Sequence, residues 1–160
     1  MREKLWHEKH GAFDVFDLRA GAAIGTLTAA GFTPLLCGSP TGEQAQTVYK
    51  FLDEASFCAM HDGSCFSVPS YNLQTDYTDT TNYWRGPVWI NVDWLLMRGL
   101  ERYGFDDKAK SVRHDIIELV RRWGFHEYFD PFKGTGYGTD NFSWTAALFI
   151  DAAMDELAEA

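Results

Sequence analysis

From Val88 to Trp123 the sequence carries two apolar repeats of helical period, separated at Gly104. In the first, Val88, Val92, Leu95, Leu96 and Leu100 make one stripe, and Trp89, Ile90 and Trp94 widen it almost all the way round. A helix apolar on nearly every side has to be buried, so the spacing predicts a central helix from about Val88 to Tyr103. In the second repeat, from about Asp107 to Trp123, Ala109, Val112, Ile116, Leu119, Val120 and Trp123 fall on one face only. Gly104 and Gly124 are natural stops, because glycine accepts the left-handed geometry that ends a helix. Successive helices joined by so short a turn run antiparallel. The loop before the first and the loop after the second therefore share one rim.

Both of those loops are aromatic. Asn82-Tyr83-Trp84-Arg85-Gly86-Pro87-Val88-Trp89 gathers rings and a guanidinium around a Gly-Pro turn. Pro87 fixes its own φ and keeps Gly86 out of helical geometry, which places the turn just ahead of the helix. Flat ring faces suit the C–H surfaces of a sugar, and Arg85 offers a rigid fork of donors for hydroxyls or a carboxylate. A buried ring cluster with Arg85 stacked on it is the alternative. On the other side of the rim lies Phe125-His126-Glu127-Tyr128-Phe129-Asp130-Pro131. A carboxylate held among rings at a helix-to-loop junction can orient and deprotonate water. The alternatives are a solvated Glu127, a structural His126 and a turn started by Asp130.

The rest of the chain gives shorter signals. Arg2–Lys9 reads as the last turns of a helix with Leu5 and Trp6 on its apolar side, broken by Gly11. Phe13–Leu18 alternates as a strand or an extended crossing would. Residues 19–40 form a connector, with Phe32, Leu35 and Leu36 packing inward. Thr41–Glu54 is helical, with Ala45, Val48, Tyr49 and Leu52 on one face and Thr41 and Gln44 as a capping pair. Residues 56–82 make a long loop, ordered by Pro69, Tyr71 and Tyr77. A last helix runs from about Phe142 to the end, capped by Asp140 or Asn141. Helix, long aromatic loop, helix: the recurrence predicts an all-α helical toroid of about five helices whose loops gather at one end.

Bulk properties narrow the function. The length of 160 residues suffices for one domain with a core. A net charge of −9 with no basic block beyond Arg121-Arg122 excludes nucleic-acid binding by phosphate neutralisation. No apolar run reaches membrane-spanning length. The N-terminus lacks the apolar stretch of a signal peptide, so a cytoplasmic location is expected. Cys37, Cys58 and Cys65 read as free loop thiols. A local disulfide and a metal site at Cys58-x-x-His61-x-x-x-Cys65 are the alternatives, the latter without a fourth ligand at zinc spacing.

Asn82–Trp89, Phe125–Pro131 and Asp140-Asn141-Phe142-Ser143-Trp144-Thr145-Ala146-Ala147-Leu148, in that order, resemble the C-terminal part of the catalytic domain of family 63 glycoside hydrolases. The likeness is greatest to the bacterial mannosylglycerate and glucosylglycerate hydrolases. Gly31–Leu36 and Val68-Pro69-Ser70 resemble earlier steps of the same domain. The resemblance implies an (α/α)6 barrel that hydrolyses α-glycosides, glucosides or mannosides and glycerate glycosides among them, with inversion and with no cofactor or metal. It implies that Glu127 is the general base and that Tyr83, Trp84 and Arg85 line the sugar pocket. Asn141 and Trp144 fall in the stretch that closes it. No segment resembles the one that carries the family's general-acid Asp. The expectation is therefore that residues 1–160 are a single domain unit, the C-terminal fragment of such a barrel, lacking the acid. Such a fragment would self-associate through uncovered apolar faces, the helix at 88–103 foremost. Two alternatives are a non-catalytic carbohydrate-binding helical module and a purely structural helical domain.

Overall fold

A computed structural model describes residues 2–52, 54–58, 65–66 and 68–159. Four α-helices dominate: α1 (Gly42–Leu52), α2 (Ile90–Arg102), α3 (Asp106–Trp123) and α4 (Ser143–Glu159). A 3₁₀ segment at Ala29–Leu35 adds a fifth helical element. Six two-residue strands pair as three antiparallel hairpins: β1 (Trp6–His7) with β2 (Ala12–Phe13), β3 (Phe16–Asp17) with β4 (Ala22–Ala23), and β5 (Tyr128–Phe129) with β6 (Gly136–Tyr137). Among the described residues no helix is long and apolar enough to cross a membrane.

The all-round apolar helix is the hub. Ile90, Leu96, Met97 and Leu100 of α2 are buried against Ala109, Val112, Ile116 and Leu119 of α3, with Phe32 and Leu35 of the 3₁₀ segment on another side. Gly99 makes the last contact possible. A Cβ there would lie 2.7 Å from the Leu35 Cβ and 2.8 Å from the Leu36 nitrogen. At α1 the expected capping pair forms in both directions: the Thr41 N–H donates to Gln44 Oε1 at 3.0 Å, and the Gln44 N–H to Thr41 Oγ1 at 3.2 Å.

Three expectations are overturned. Arg2–Lys9 is not helical; Trp6 pairs with Phe13 and His7 with Ala12 in the first hairpin. Two apolar residues without a cap make too little helix to nucleate, whereas the hairpin sets the Trp6 ring edge-on to Phe13 at 5.2 Å. Second, the uncovered apolar face belongs to α4 and not to α2. Ile150, Met154 and Leu157 of α4 are 59, 61 and 72% exposed. Polar ties hold this helix: Trp94 Nε1 donates to Asp151 Oδ2, and Arg98 reaches both Asp151 and Asp155, each at 2.6 Å. Arg113, itself buried, reaches Glu159 at 2.9 Å. The Trp94 hydrogen bond, then that of Arg98, hold the Asp151 carboxyl below its ordinary range. Third, Cys58 and Cys65 are joined in a disulfide, their Cα atoms 5.9 Å apart, and only Cys37 is a free, exposed thiol among the described residues. The spacing alone could not show that the two thiols meet. His61, on which the metal alternative depended, lies outside the described residues.

One buried acid pins the long loop to the hub. Asp93, in the first turn of α2, is fully buried, and its Oδ1 accepts the Val68 N–H at 2.8 Å. Burial pushes its carboxyl well above the usual carboxylate range; the Val68 bond opposes this and the charge of Asp115 adds to it. The folded state therefore holds this proton more tightly than the unfolded chain does. Stability from Asp93 is full below the ordinary carboxylate value of about 4 and is lost as pH rises from there toward the folded value. Asp93→Asn keeps an acceptor for Val68 and removes the titration. Urea midpoints measured across a pH series are expected to fall less steeply with pH in this variant than in the wild type. A thiol titration in denaturant is expected to count one cysteine before reduction and all three after it.

Candidate functional site

The rim shared by the two aromatic loops is closed by backbone. Val88 and Phe129 face each other as an antiparallel pair: the Val88 N–H donates to the Phe129 carbonyl at 2.8 Å, and the Phe129 N–H to the Val88 carbonyl at 2.9 Å. Pro69 pairs with Val88 on its other side. The stretch before α2 and the stretch after α3 thus lie side by side, with Trp89 and Tyr128 next to the joint.

Rings then stack outward from it. Trp84 lies parallel to Trp89 at 4.0 Å and 7°, and Trp89 lies on Tyr128 at 5.1 Å. Tyr83 stands edge-on to both Trp89, at 4.9 Å, and Tyr128, at 5.7 Å. Trp89 Nε1 donates to the Tyr83 carbonyl at 2.9 Å. These contacts hold Tyr83 at φ 43°, a left-handed conformation that a bulky side chain rarely adopts. Strain of this kind persists only where surroundings over-determine it, and it clusters at binding sites. The outer rings remain open, Tyr83 at 47% and Trp84 at 43% exposed. A platform with a wet outer side is not the closed core that a purely structural reading requires. A cavity of about 220 Å³ opens beside Trp84.

Glu127 follows immediately in the chain. Its N–H donates to the Tyr137 carbonyl at 3.2 Å, and its Oε2 accepts the Thr139 N–H at 3.3 Å. The carboxylate fits over Gly138, where a Cβ would come within 2.6 Å of Glu127 Oε2 and 2.9 Å of the Tyr128 ring. Next to it, His126 Nδ1 lies 2.8 Å from Asp140 Oδ1. The start of α4 is drawn to the same place: the Phe142 N–H donates to the Phe125 carbonyl at 2.7 Å and Thr145 Oγ1 to that of His126 at 2.8 Å. Asn141 forms the bend there, at φ 55°.

Of the residues picked from the sequence, Tyr83 and Trp84 thus join one ring cluster that ends at the neighbour of Glu127. Arg85 is exposed and its Nε donates to the Tyr77 carbonyl at 2.9 Å, which fastens it to the long loop. Trp144 sits half-exposed in the first turn of α4, with its ring 6.2 Å from Phe142 rather than in the stack. Asp130 starts a turn as expected, its Oδ1 accepting the N–H groups of Phe132 and Lys133. It also accepts Thr80 Oγ1 at 2.9 Å, which ties the two loops together. Trp89, part of the aromatic run and of the helix stripe, and Tyr128, a flank of Glu127, carry no sugar-binding role in the sequence reading, yet they form the middle of the stack. Alternation across Glu127-Tyr128-Phe129 was the available signal. Asp79, Asp130 and Asp140, on the segments that make the rim, each carry a structural partner.

The family model for the mannosylglycerate hydrolase MGH1-like glycoside hydrolase domain matches residues 1–145. The chain belongs to this family. The mannosylglycerate hydrolase of Rubrobacter radiotolerans is 42% identical over 155 residues, covering 97% of this chain and 35% of the relative. The glucosylglycerate hydrolase of Mycolicibacterium hassiacum is 33% identical, over 92% of this chain and 36% of that protein. Among solved structures, the GH63 mannosylglycerate hydrolase of Thermus thermophilus in complex with glucose superposes with a TM-score of 0.83 at 36% identity, over 93% of this chain and 37% of that one. The chain therefore spans about a third of the length of the relatives it matches. A neutral trehalase of Saccharomyces cerevisiae, at 20% identity and a TM-score of 0.71, shares the helical fold alone.

Gly138 ties the local fold of this family member to the placement of its candidate base. At φ +74° it has the same backbone strain on substitution as Gly104, also at +74°, where an added Cβ would meet no non-neighbouring atom within 4 Å. Gly104→Ala is expected to cost about 1–2 kcal/mol from left-handed strain alone. Gly138→Ala is expected to cost more, because the new methyl also meets Glu127 and Tyr128. Paired urea unfolding curves measure the difference.

Proposed function

We propose that this chain is the base-bearing part of an inverting α-glycoside hydrolase. A sugar ring lies on the Tyr83–Trp84 platform, Arg85 holds its hydroxyls or a glycerate carboxylate, and Asn141 and Trp144 close the pocket. Glu127 takes a proton from water as that water attacks the anomeric carbon from the face opposite the leaving group. The leaving oxygen is protonated by a carboxylic acid from a segment of the family's domain that no stretch of this sequence resembles, so the chain is proposed to be the C-terminal fragment of a longer barrel. Inverting hydrolases keep two carboxyl groups apart by roughly 6.5–9.5 Å to admit the water. The substrates proposed are α-glucosides or α-mannosides, glycerate glycosides included. The observation that carries the reading is the Val88–Phe129 backbone pair, which sets a wet ring platform beside the residue following Glu127. The exposed apolar face of α4 supports the fragment reading and gives it a surface for self-association. A cytoplasmic location belongs with these proposals, and the Cys58–Cys65 disulfide opposes it, since cytosolic proteins keep their thiols reduced.

A non-catalytic carbohydrate-binding module is the second reading, favoured by the absence of an uncommitted acid facing Glu127 among the described residues. Sugar release from α-glucosides and α-mannosides separates the two. The 160 residues alone are expected to bind sugar weakly and turn over none. In the longer enzyme, Glu127→Gln is expected to lower kcat by about 10²–10⁴-fold with KM little changed, because the amide keeps the shape and cannot take the proton. Trp84→Ala is expected to raise KM instead. Near wild-type kcat for Glu127→Gln would remove Glu127 as the base.

A further inference from the structure

The N-terminal hairpin carries a side-chain group that the glycosidase reading does not use. His7 and His10 stack with ring centroids 4.0 Å apart, and His10 Nδ1 lies 3.7 Å from Asp14 Oδ2. One ligand atom from each of the three residues falls within 4.8 Å of the others. The Nδ1 atoms of both histidines are closed off from solvent and have no hydrogen-bond partner among the described residues. A buried polar atom left without a partner is destabilising, so each such nitrogen calls for an explanation. The His10–Asp14 distance is too long for a hydrogen bond. Asp14 is itself buried, its Oδ1 accepting the Val15 N–H at 2.7 Å and its Oδ2 the Gly25 N–H at 2.9 Å. Two stacked imidazoles, each with a buried and unpartnered Nδ1, thus lie within ligand-sharing distance of one buried carboxylate.

We propose that His7, His10 and Asp14 bind a divalent transition-metal ion of the zinc, cobalt or nickel class. Two imidazole nitrogens and one carboxylate oxygen are a borderline donor set that suits these ions, with the fourth position left to water. Bonds of about 2.1 Å in a tetrahedral site set ligand atoms about 3.4 Å apart. The cluster therefore has to contract by up to about 1.4 Å, with the two stacked rings turning so that their nitrogens converge on the ion. The scaffold for it is fixed. His7 pairs with Ala12, the Gly11 N–H donates to the His7 carbonyl at 3.0 Å, and the Asp14 N–H to that of Leu5 at 2.8 Å. Because Asp14 also holds Gly25, the ion would clip the first hairpin to the end of the second. None of the three residues takes part in the ring stack or in the hydrogen bonds around Glu127.

The test uses the untagged 160-residue chain, freed of metal with EDTA, and Zn²⁺ alone as the probe in calorimetry. Uptake of one equivalent is expected, with a rise in the thermal midpoint. His7→Ala and His10→Ala are each expected to weaken binding by more than about tenfold, since even the loss of an outer-shell partner costs that much. His114→Ala, on α3, is expected to leave it unchanged. Co²⁺ in place of Zn²⁺ is expected to give tetrahedral visible bands without a thiolate charge-transfer band. Circular dichroism of each metal-free variant checks that it folds; His7→Gln and His10→Gln replace any that does not. Absence of saturable uptake, uptake equal in both histidine variants to that of the wild type, or a thiolate band would overturn the site.

Discussion

The antiparallel pair formed by Val88 and Phe129 is the contact on which the rest of the site depends. Their two reciprocal hydrogen bonds join segments that are about forty residues apart in the chain and belong to opposite ends of the α2–α3 unit. Each aromatic loop alone would be a partly apolar excursion with nothing to fix its rings. Zipped together, they put Trp89 and Tyr128 on one side of a short ladder, and the remaining rings can then stack on a fixed base. The strained Tyr83 follows from this: its conformation is tolerated only because Trp89 and Tyr128 contact its ring and the Trp89 indole holds its carbonyl.

Beneath the rim, the stability of the arrangement comes from α2. It touches α3, α4 and the 3₁₀ segment, and its apolar residues are spread over most of its circumference. The polar exceptions on it are connectors. Asp93 takes the loop at Val68, while Trp94 and Arg98 take α4 through Asp151. Helix α4 is thus attached by hydrogen bonds and ion pairs on its inner side, while Ile150, Met154 and Leu157 face outward. Such a helix sits against its own neighbours and still offers an apolar surface to another layer, as the proposed longer barrel requires.

Much of the candidate site was legible in the order of the residues alone. Tyr83, Trp84 and Glu127 stand out because their residue types are unusual at helix ends, and the antiparallel order of α2 and α3 puts both loops on one rim. The places where the reading failed share a cause. Leu5 and Trp6 fit a helix as well as a hairpin, and the choice falls to partners at Ala12 and Phe13. Cys58 and Cys65 have no local pattern that reveals their pairing. Trp89 and Tyr128 look like core and flank until the Val88–Phe129 bridge turns them into the middle of a stack.

By itself the sequence determined the main helices, their antiparallel order, the hub character of α2 and the family, since periodicity, caps and motif residues are local and need no partner to be recognised. The tertiary structure decided which rings touch, what holds Glu127, which helix keeps an open apolar face, and that His7, His10 and Asp14 meet. Those facts depend on backbone pairings between segments distant in the chain. Side-chain chemistry permits such pairings, but only the balance of all competing contacts selects one of them.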